Sequence, residues 1–413
     1  MPFKPKTYLG FPIGDDDSGP SSPDPRKKGV AIIIALFMIT VMTLFMADMQ
    51  LNAVVESQIA VANRDNLKAE YIAKSGANLA TFLLNVDLAI DLTMAELGGA
   101  NAQVSDGPGD LWAQLNGIPI GGETVELLGQ MQETFDLSKV NDSGVLDQLK
   151  LFEGQFSMII TDETSRINVN YCGNVNLKPR EECKELLRKL FTCPAEKDFF
   201  DKKKVNPEEV IGFIEDWIDL NQSPSESTGK GSENEVYTER RPRTQPKNAP
   251  LDTLDELRMV EGWDVDMHTI FSPYLTVHPI PSGIAKGTDN RVVLNFNSAS
   301  RELLGCLFPK STNDCAEKSA LYLQERTEQG AAGSREAVKS ALQDKFCAEP
   351  SETTNILDAF TYRSDLYRVR VEGTAGEQKK VLEFVMERGL PEGQGDMRNQ
   401  QKAAYKYLYW KML

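Results

Sequence analysis

The feature that most constrains this chain is an uninterrupted apolar run near its start. Val30 to Ala47 contains no charged residue over eighteen positions, the length at which an α-helix just reaches across a bilayer. Arg26-Lys27-Lys28 stands directly before it, and basic residues flanking a span stay on the cytoplasmic side. Residues 1–25 are rich in Pro, Gly, Ser and Asp without helical or strand periodicity, and read as a disordered tail. An ordinary secretory signal places its small-residue cleavage site after the apolar region. Here the run passes through Asp48 into Met49-Gln50-Leu51 and stays compatible with a helix. The apolar helix is therefore expected to remain as an anchor.

Basic residues, then Gly29, then Val-Ala-Ile-Ile-Ile resemble the prepilin signal, in which the apolar segment follows the cut. That resemblance implies removal of residues 1–29 by a prepilin peptidase, leaving Val30 as a methylated N-terminus. The other reading is an uncleaved signal anchor of the same topology. Pilins and most pseudopilins carry Glu at the fifth mature position, where it pairs with a neighbouring subunit's amine. Here that position is Ile34. A charge in the membrane is expensive and survives only with a use, so its absence fits a subunit at the terminal position of a filament.

Beyond the span, small or apolar residues recur at Val55, Ile59, Ala62, Ala69, Ala73, Gly76, Ala80 and Leu83. These steps follow one face of a helix. Ala and Gly dominate the stripe, so whatever packs on it can approach the backbone closely. The helix is expected to end near Leu97-Gly98-Gly99.

The remainder reads as α+β. Strands are predicted at Phe156–Thr161, weakly at Glu123–Leu128, and as a hairpin formed by Leu366–Glu372 and Lys380–Glu387. Between them, helices are predicted at Glu181–Phe191, Pro207–Leu220, Leu251–Val260, Ala299–Phe308, Cys315–Gln329 and Ser334–Phe346. Asn206-Pro207-Glu208-Glu209 is a well-formed helix start, with Pro at N1 and acids in the first turn. The expected organisation has a leader at 1–29 and the transmembrane and amphipathic helix at 30–98. The first part of a small antiparallel-sheet domain follows at 99–164, then a large inserted helical domain at 165–360. A β-hairpin at 361–390 completes the sheet domain. The aromatic and basic tail, 391–413, is expected to pack on the sheet.

The chain carries 45 basic and 61 acidic residues, a net charge of −16. This argues against nucleic-acid binding. GxSxG, HExxH, P-loop and Rossmann fingerprints are absent from the sequence, and His268 and His278 are its two histidines, so an enzyme is not expected. Six cysteines, Cys172, Cys183, Cys193, Cys306, Cys315 and Cys347, form no CxxC pair and read as disulfides rather than a zinc site. Each cluster of three is odd, so full pairing needs a bridge between clusters. Buried free thiols are the alternative. Asp216, Asp219, Asn221, Glu233 and Glu235 lie within twenty residues. Their spacing is not an EF-hand, and they read either as a solvated acidic loop or as oxygen ligands for a hard cation.

Five phrases together resemble the general secretion pathway protein K family, the large minor pseudopilin of type II secretion systems. They are Asp162-Glu-Thr-Ser-Arg-Ile-Asn-Val-Asn170; Asp216-Trp-Ile-Asp-Leu-Asn221 with Gly231-Ser-Glu233 and Tyr237; Pro250-Leu-Asp-Thr-Leu-Asp-Glu-Leu257; Leu294-Asn-Phe-Asn-Ser-Ala299; and Ser364-Asp-Leu-Tyr-Arg-Val-Arg370. The resemblance implies a pseudopilin αβ fold with an inserted α-domain. The implied role is a tip subunit that joins I- and J-type minor pseudopilins to cap and help initiate a periplasmic pseudopilus. It also implies a single-pass inner-membrane anchor, a globular domain in the periplasm, and contact with the secretin or with secreted substrates. Calcium is implied at Asp216, Asp219, Asn221, Glu233 and Glu235, although Asn221 stands where Asp is usual. A type IV pilus tip protein of similar build, serving adhesion, motility or DNA uptake, is the alternative.

Overall fold

The computed structural model describes residues 25–98, 105–121, 154–193, 197–229, 232–238, 245–279, 292–308, 313–329, 332–349, 359–389 and 404–413. Residues 1–24, Gly231 and the weak strand expected at Glu123–Leu128 lie outside them.

Helix α1 runs from Pro25 to Gly98 and enters both of the compact units into which the chain divides, Met1–Arg64 and Asp65–Leu413. In the first unit every side chain from Val30 to Arg64 is exposed. The most apolar stretch reaches a mean hydropathy of 2.7 with none of it buried. Among the described residues this is the one helix long and apolar enough to cross a membrane. The Thr40 hydroxyl donates to the Leu36 carbonyl at 2.8 Å, and Thr43 does the same to Ile39. Such back-bonding satisfies a hydroxyl within the helix, as a water-free surrounding requires.

In the second unit the later turns of α1 bury Ala69, Ile72, Ala73, Ala77, Ala80 and Leu84. These fall at helical spacing and face an antiparallel sheet, which the short helix α2 (Leu111–Gln114) precedes in the chain. Its strands are β1 (Ile120–Gly121) and β2 (Gln155–Asp162), with β7 (Leu366–Ala375), β8 (Gln378–Gly389) and β9 (Ala404–Met412), in the order β1-β2-β7-β8-β9. Alternation decides the face: Phe156, Met158 and Ile160, then Tyr367, Val369 and Val371, then Leu382, Phe384 and Met386 all turn toward α1. Two glycines set the distance. A Cβ on Gly76 would lie 2.5 Å from Val371 Cγ1, and one on Gly373 would lie 2.5 Å from the Ala69 carbonyl oxygen. From Ala69 onward the small-residue stripe thus lies close on the chain's own sheet, an approach that Gly373 permits, whereas its earlier members Val55, Ile59 and Ala62 are exposed.

β9 was not expected as a strand. Tyr405, Tyr407, Tyr409 and Trp410 give it high β propensity, and its register with β8 shifts at Val385/Met386. Tyr407 and Trp410 close over Phe384, with ring centroids at 5.4 and 5.2 Å.

Between β2 and β7 lies a second core, spanning Ile167 to Phe360. In chain order its elements are β3 (Ile167–Asn168), α3 (Leu177–Phe191), α4 (Lys197–Lys203), α5 (Pro207–Ile218), α6 (Glu233–Thr238), α7 (Val265–Phe271), β4 (Leu275–Thr276), β5 (Leu294–Asn295), α8 (Arg301–Leu307), α9 (Asn313–Gln329), α10 (Arg335–Asp344) and β6 (Phe360–Thr361). Two-residue parallel pairs, β3 with β4 and β5 with β6, knit it together. The segment expected as a helix over Leu251–Val260 is a 3₁₀ turn at Leu254–Met259. Glu256 folds back to accept from the amides of Asp252 and Thr253 at 2.8 and 3.0 Å, and Val260 is already extended. The cysteines pair as Cys172–Cys183, Cys193–Cys306 and Cys315–Cys347, the second joining the two sequence clusters.

Polar side chains fasten the inserted core to the sheet. Asp162, at the end of β2, accepts from the Thr164 amide at 2.8 Å, the Ser364 hydroxyl at 2.5 Å and Asn295 Nδ2 at 2.7 Å. Beside it Glu163 takes Arg368 of β7 at 2.8 and 3.0 Å and the Thr276 hydroxyl at 2.7 Å. Apart from the local Thr164 amide, these bonds run between segments far apart in sequence, so they define how the insertion sits.

Candidate functional site

The acidic loop begins where α5 ends. Pro207 at N1 and the Asn206 side chain, which accepts from the Glu208 amide at 3.1 Å, start that helix. Its buried face carries Ile211, Ile214, Trp217 and Ile218. Gly212 lets the following loop return against it, since a Cβ there would strike the hydroxyls of Ser225 and Ser227. Asp216 then receives the Ser225 amide and the Thr228 hydroxyl, each at 2.7 Å. Trp217 packs edge-on against Tyr237 of α6 at 5.3 Å, which places α6 and its first residue, Glu233, beside the end of α5.

Three of the five expected ligands become buried here: Asp216, Asp219 and Glu233 are 2, 5 and 3% exposed. Asn221 and Glu235 are on the surface. The Asn221 side-chain amide donates to Asp219 Oδ2 at 2.5 Å while its carbonyl accepts from the Ser223 amide at 2.7 Å, so it braces the loop. Among the described residues none of the three buried carboxylates has a lysine, arginine or histidine at ion-pair distance. The nearby basic side chains Arg180 and Lys184 are engaged by Glu215, at 3.5 and 3.0 Å. Glu233 Oε1 has no hydrogen-bond donor among the described residues. Burial, together with the charges of Asp219 and Asp216, pushes the Glu233 carboxyl up to about 7. Burial likewise lifts Asp219 to about 6 despite the Asn221 amide, and raises Asp216.

Buried carboxylates without a counter-charge are costly unless they are protonated or bind a cation. The donor set is all oxygen, which suits calcium. The three do not gather within 4.8 Å of one another. Among the described residues the trio that does is Asp87, Asp106 and Asp110, and there Arg388 already supplies the cation, 3.2 Å from Asp87 and 2.6 Å from Asp106. The sequence reading missed both Arg388 and the Ser225–Thr228 cradle. The cradle was legible in part, as a polar Ser/Thr loop after the acidic helix end. Arg388 meets partners some three hundred positions away and leaves no local signal.

Comparison with known proteins follows the same segment. Residues 165–280 match the family model for type II secretion system (T2SS), protein K. A curated relative, type II secretion system protein K of Klebsiella pneumoniae, is 22% identical over 289 residues, covering 69% of this chain and 71% of the relative. Residues 165–280 thus carry the domain of the type II secretion system protein K family, and the chain as a whole is similar to a protein of that name. Among solved structures, the GspK-GspI-GspJ complex from the enterotoxigenic Escherichia coli type 2 secretion system contains a similar chain. The match has a TM-score of 0.44 and 17% identity, covering 63% of this chain and 80% of that one. By the family-model and curated matches the present chain is a minor pseudopilin of a type II secretion system, with one helix long and apolar enough to cross a membrane and a globular domain. The type IV pilus reading is not favoured.

Proposed function

We propose that this minor pseudopilin is the tip subunit of its pseudopilus, which it caps and helps initiate together with I- and J-type minor pseudopilins. The observation that carries the reading is Ile34, at the fifth position after Gly29, in a helix otherwise built like that of a filament subunit. A subunit with no neighbour above it has no amine to neutralise, and a carboxylate there would only cost energy in the membrane. The I and J partners are supported by the composition of the complex from enterotoxigenic Escherichia coli.

On this reading a prepilin peptidase cuts after Gly29 and Val30 becomes the methylated N-terminus. The anchor then sits in the inner membrane with the globular domain in the periplasm. The inserted α-domain faces the secretin or the secreted substrates. Calcium belongs to the same proposal: Asp216, Asp219 and Glu233 would hold it, and the orphaned Glu233 Oε1 supports the fit. Its contribution would be to join the end of α5 to α6 by replacing repulsion with coordination.

The deciding experiment is purification from membranes followed by mass spectrometry of the intact chain and of what accompanies it. A methylated N-terminus at Val30 and co-purified I- and J-type pseudopilins are expected. Recovery of an uncut chain, or of one lacking its apolar helix, would remove the proposal.

A further inference from the structure

A second charged site, formed by residues outside the acidic loop, has no counterpart in the reading above. A cleft of about 420 Å³ lies between α8 and α9, lined by Arg301, Glu317, Ala320, Leu321, Leu323, Gln324 and Arg326. Glu317, Ala320, Leu321 and Gln324 stand at i, i+3, i+4 and i+7 and so form one face of α9. Arg301 opens α8 opposite.

Arg326 is the anomaly. It is 8% exposed, and its Nη1 and Nη2 donate to the backbone carbonyls of Phe296 and Ala299 at 2.9 and 2.7 Å. Its Nε has no acceptor among the described residues. Among the described residues no carboxylate pairs with it, nor with the exposed Arg301. Other arginines of this acidic chain do hold carboxylates: Arg166 and Arg368 at Glu163, Arg188 at Glu208, Arg363 at Asp365, Arg388 at Asp106. Burial pulls the Arg326 guanidinium down to about 10. Two carbonyls satisfy its donors but leave its charge uncompensated, and a buried charge without a counter-charge is the costly case.

We infer that this cleft binds a carboxylate of a partner polypeptide, with Arg301 and Arg326 supplying the positive charge and an adjacent apolar residue lying on Ala320 and Leu321. The apolar ledge argues for a polypeptide rather than a free anion. Leu321 is 52% exposed, and an inorganic anion would leave it uncovered. Glu317 on the same helix face argues against a doubly charged group such as phosphate, because it repels two charges more than one. The exposed Arg301 fork matches a planar carboxylate, while Arg326, its Nη atoms held by two carbonyls, adds its charge and the Nε donor. This inference does not depend on the tip assignment or on calcium.

The test uses the full chain purified in detergent and three probes: a capped Leu-Glu-Leu peptide, its Leu-Gln-Leu counterpart, and inorganic phosphate. Binding is followed by calorimetry and by the thermal shift. The glutamate peptide should bind and raise the melting temperature, with the glutamine peptide about tenfold weaker, the ratio expected for one charge-assisted contact. Arg301→Gln, an exposed position that leaves the fold intact, should abolish the difference. Arg326→Lys should weaken binding by keeping charge while losing the Nε donor. Equal affinity for the two peptides, or an Arg301→Gln chain that binds like the parent, overturns the inference. Phosphate binding as tightly as the glutamate peptide also overturns it, by assigning the site to a free anion.

Discussion

Arg388 Nη2 lies 2.6 Å from Asp106 Oδ1, and neither side chain is exposed to solvent. The same guanidinium reaches Asp87 of α1 at 3.2 Å, donates to the carbonyls of Leu84 and Ser364 at 3.2 and 2.9 Å, and lies over the Tyr367 ring at 5.1 Å. The Tyr367 hydroxyl donates to the other side of the pair, Asp106 Oδ1, at 2.7 Å. One cation near the end of β8 therefore holds the membrane-anchored helix to the closing hairpin.

Replacing Arg388 with methionine keeps the bulk but strands Asp106 and Asp87 in the core. Removing one partner of a buried pair costs roughly 3–5 kcal/mol, so Arg388→Met should melt far below the parent. Adding Asp106→Asn removes one stranded charge and should recover part of the loss. Circular-dichroism melts of the two variants check this. A double variant no more stable than the single one would show that packing, not charge, explains the effect.

Glu163 gives the opposite pH signature from an ordinary buried acid. Burial alone would raise its carboxyl, but Arg166 and Arg368 outweigh it and hold the group down to about 2. A lowered folded-state pKa stabilises above the unfolded value, near 4.5, and that stability is lost as pH falls toward 2. The parent should lose stability across this window more steeply than Glu163→Gln, which keeps the shape and cannot titrate. Denaturant midpoints at pH 5, 4 and 3 read the difference. Parallel curves would exclude Glu163 as the linked group.

The parts of this fold that the sequence disclosed are those with a local cause. The span Val30–Ala47, the α5 start at Asn206-Pro207 and the alternation of Leu366–Glu372 each follow from residues a few positions apart. The family phrases were legible for a related reason. Asp162, Asn295 and Ser364 lie in them and form buried hydrogen bonds at the joint between the two cores, while Asn170 Oδ1 ties the inserted core to itself by accepting from the Leu251 amide at 2.7 Å. Arg388 and β9 were not legible. The first depends on partners brought together only by folding, and the second is an aromatic run whose strand identity comes from pairing with β8. The acidic loop was half legible, since spacing grouped five polar residues but could not say that Asn221 and Glu235 would stay outside.

Cys193–Cys306 closes a loop of 113 residues, the longest of the three bridges. Chain-entropy reasoning gives about 4–5 kcal/mol for a loop of that size, although engineered cases often deliver less. Replacing both cysteines with serine should therefore lower stability more than the same change at Cys172–Cys183, whose separation is 11. Thermal melts of the two double variants, without reductant, decide the order. Equal losses would mean that local packing outweighs loop closure here.

Gly373 offers a sharper packing test than any leucine. An added methyl would meet the Ala69 carbonyl oxygen at 2.5 Å and the Ala73 amide nitrogen at 2.6 Å, both backbone atoms of α1. No rotamer change can relieve that contact, so Gly373→Ala must lift the helix from the sheet. Overpacking of this kind costs about 1–3 kcal/mol. The variant should melt lower and exchange the amides of β7 faster by hydrogen–deuterium exchange. A neutral substitution would show that α1 moves freely on the sheet.

The proposed calcium site makes a prediction whose sign differs from that of Glu163. Burial and mutual repulsion hold Glu233 near 7 and Asp219 near 6, above their unfolded values. Without metal, stability should therefore rise as pH falls through 7 toward 4.5, because protonation removes a penalty present only in the folded state. Calcium binds the ionised carboxylates and competes with those protons. The thermal shift produced by calcium should be small at pH 5.5 and grow through pH 7.5, and Glu233→Gln should be more stable than the parent without metal yet respond less to it. Magnesium, which demands a tighter octahedral arrangement and keeps its waters, should shift the melt less. A calcium response that is flat with pH, or unchanged in Glu233→Gln, would place the ion elsewhere and leave these carboxylates as protonated members of the core.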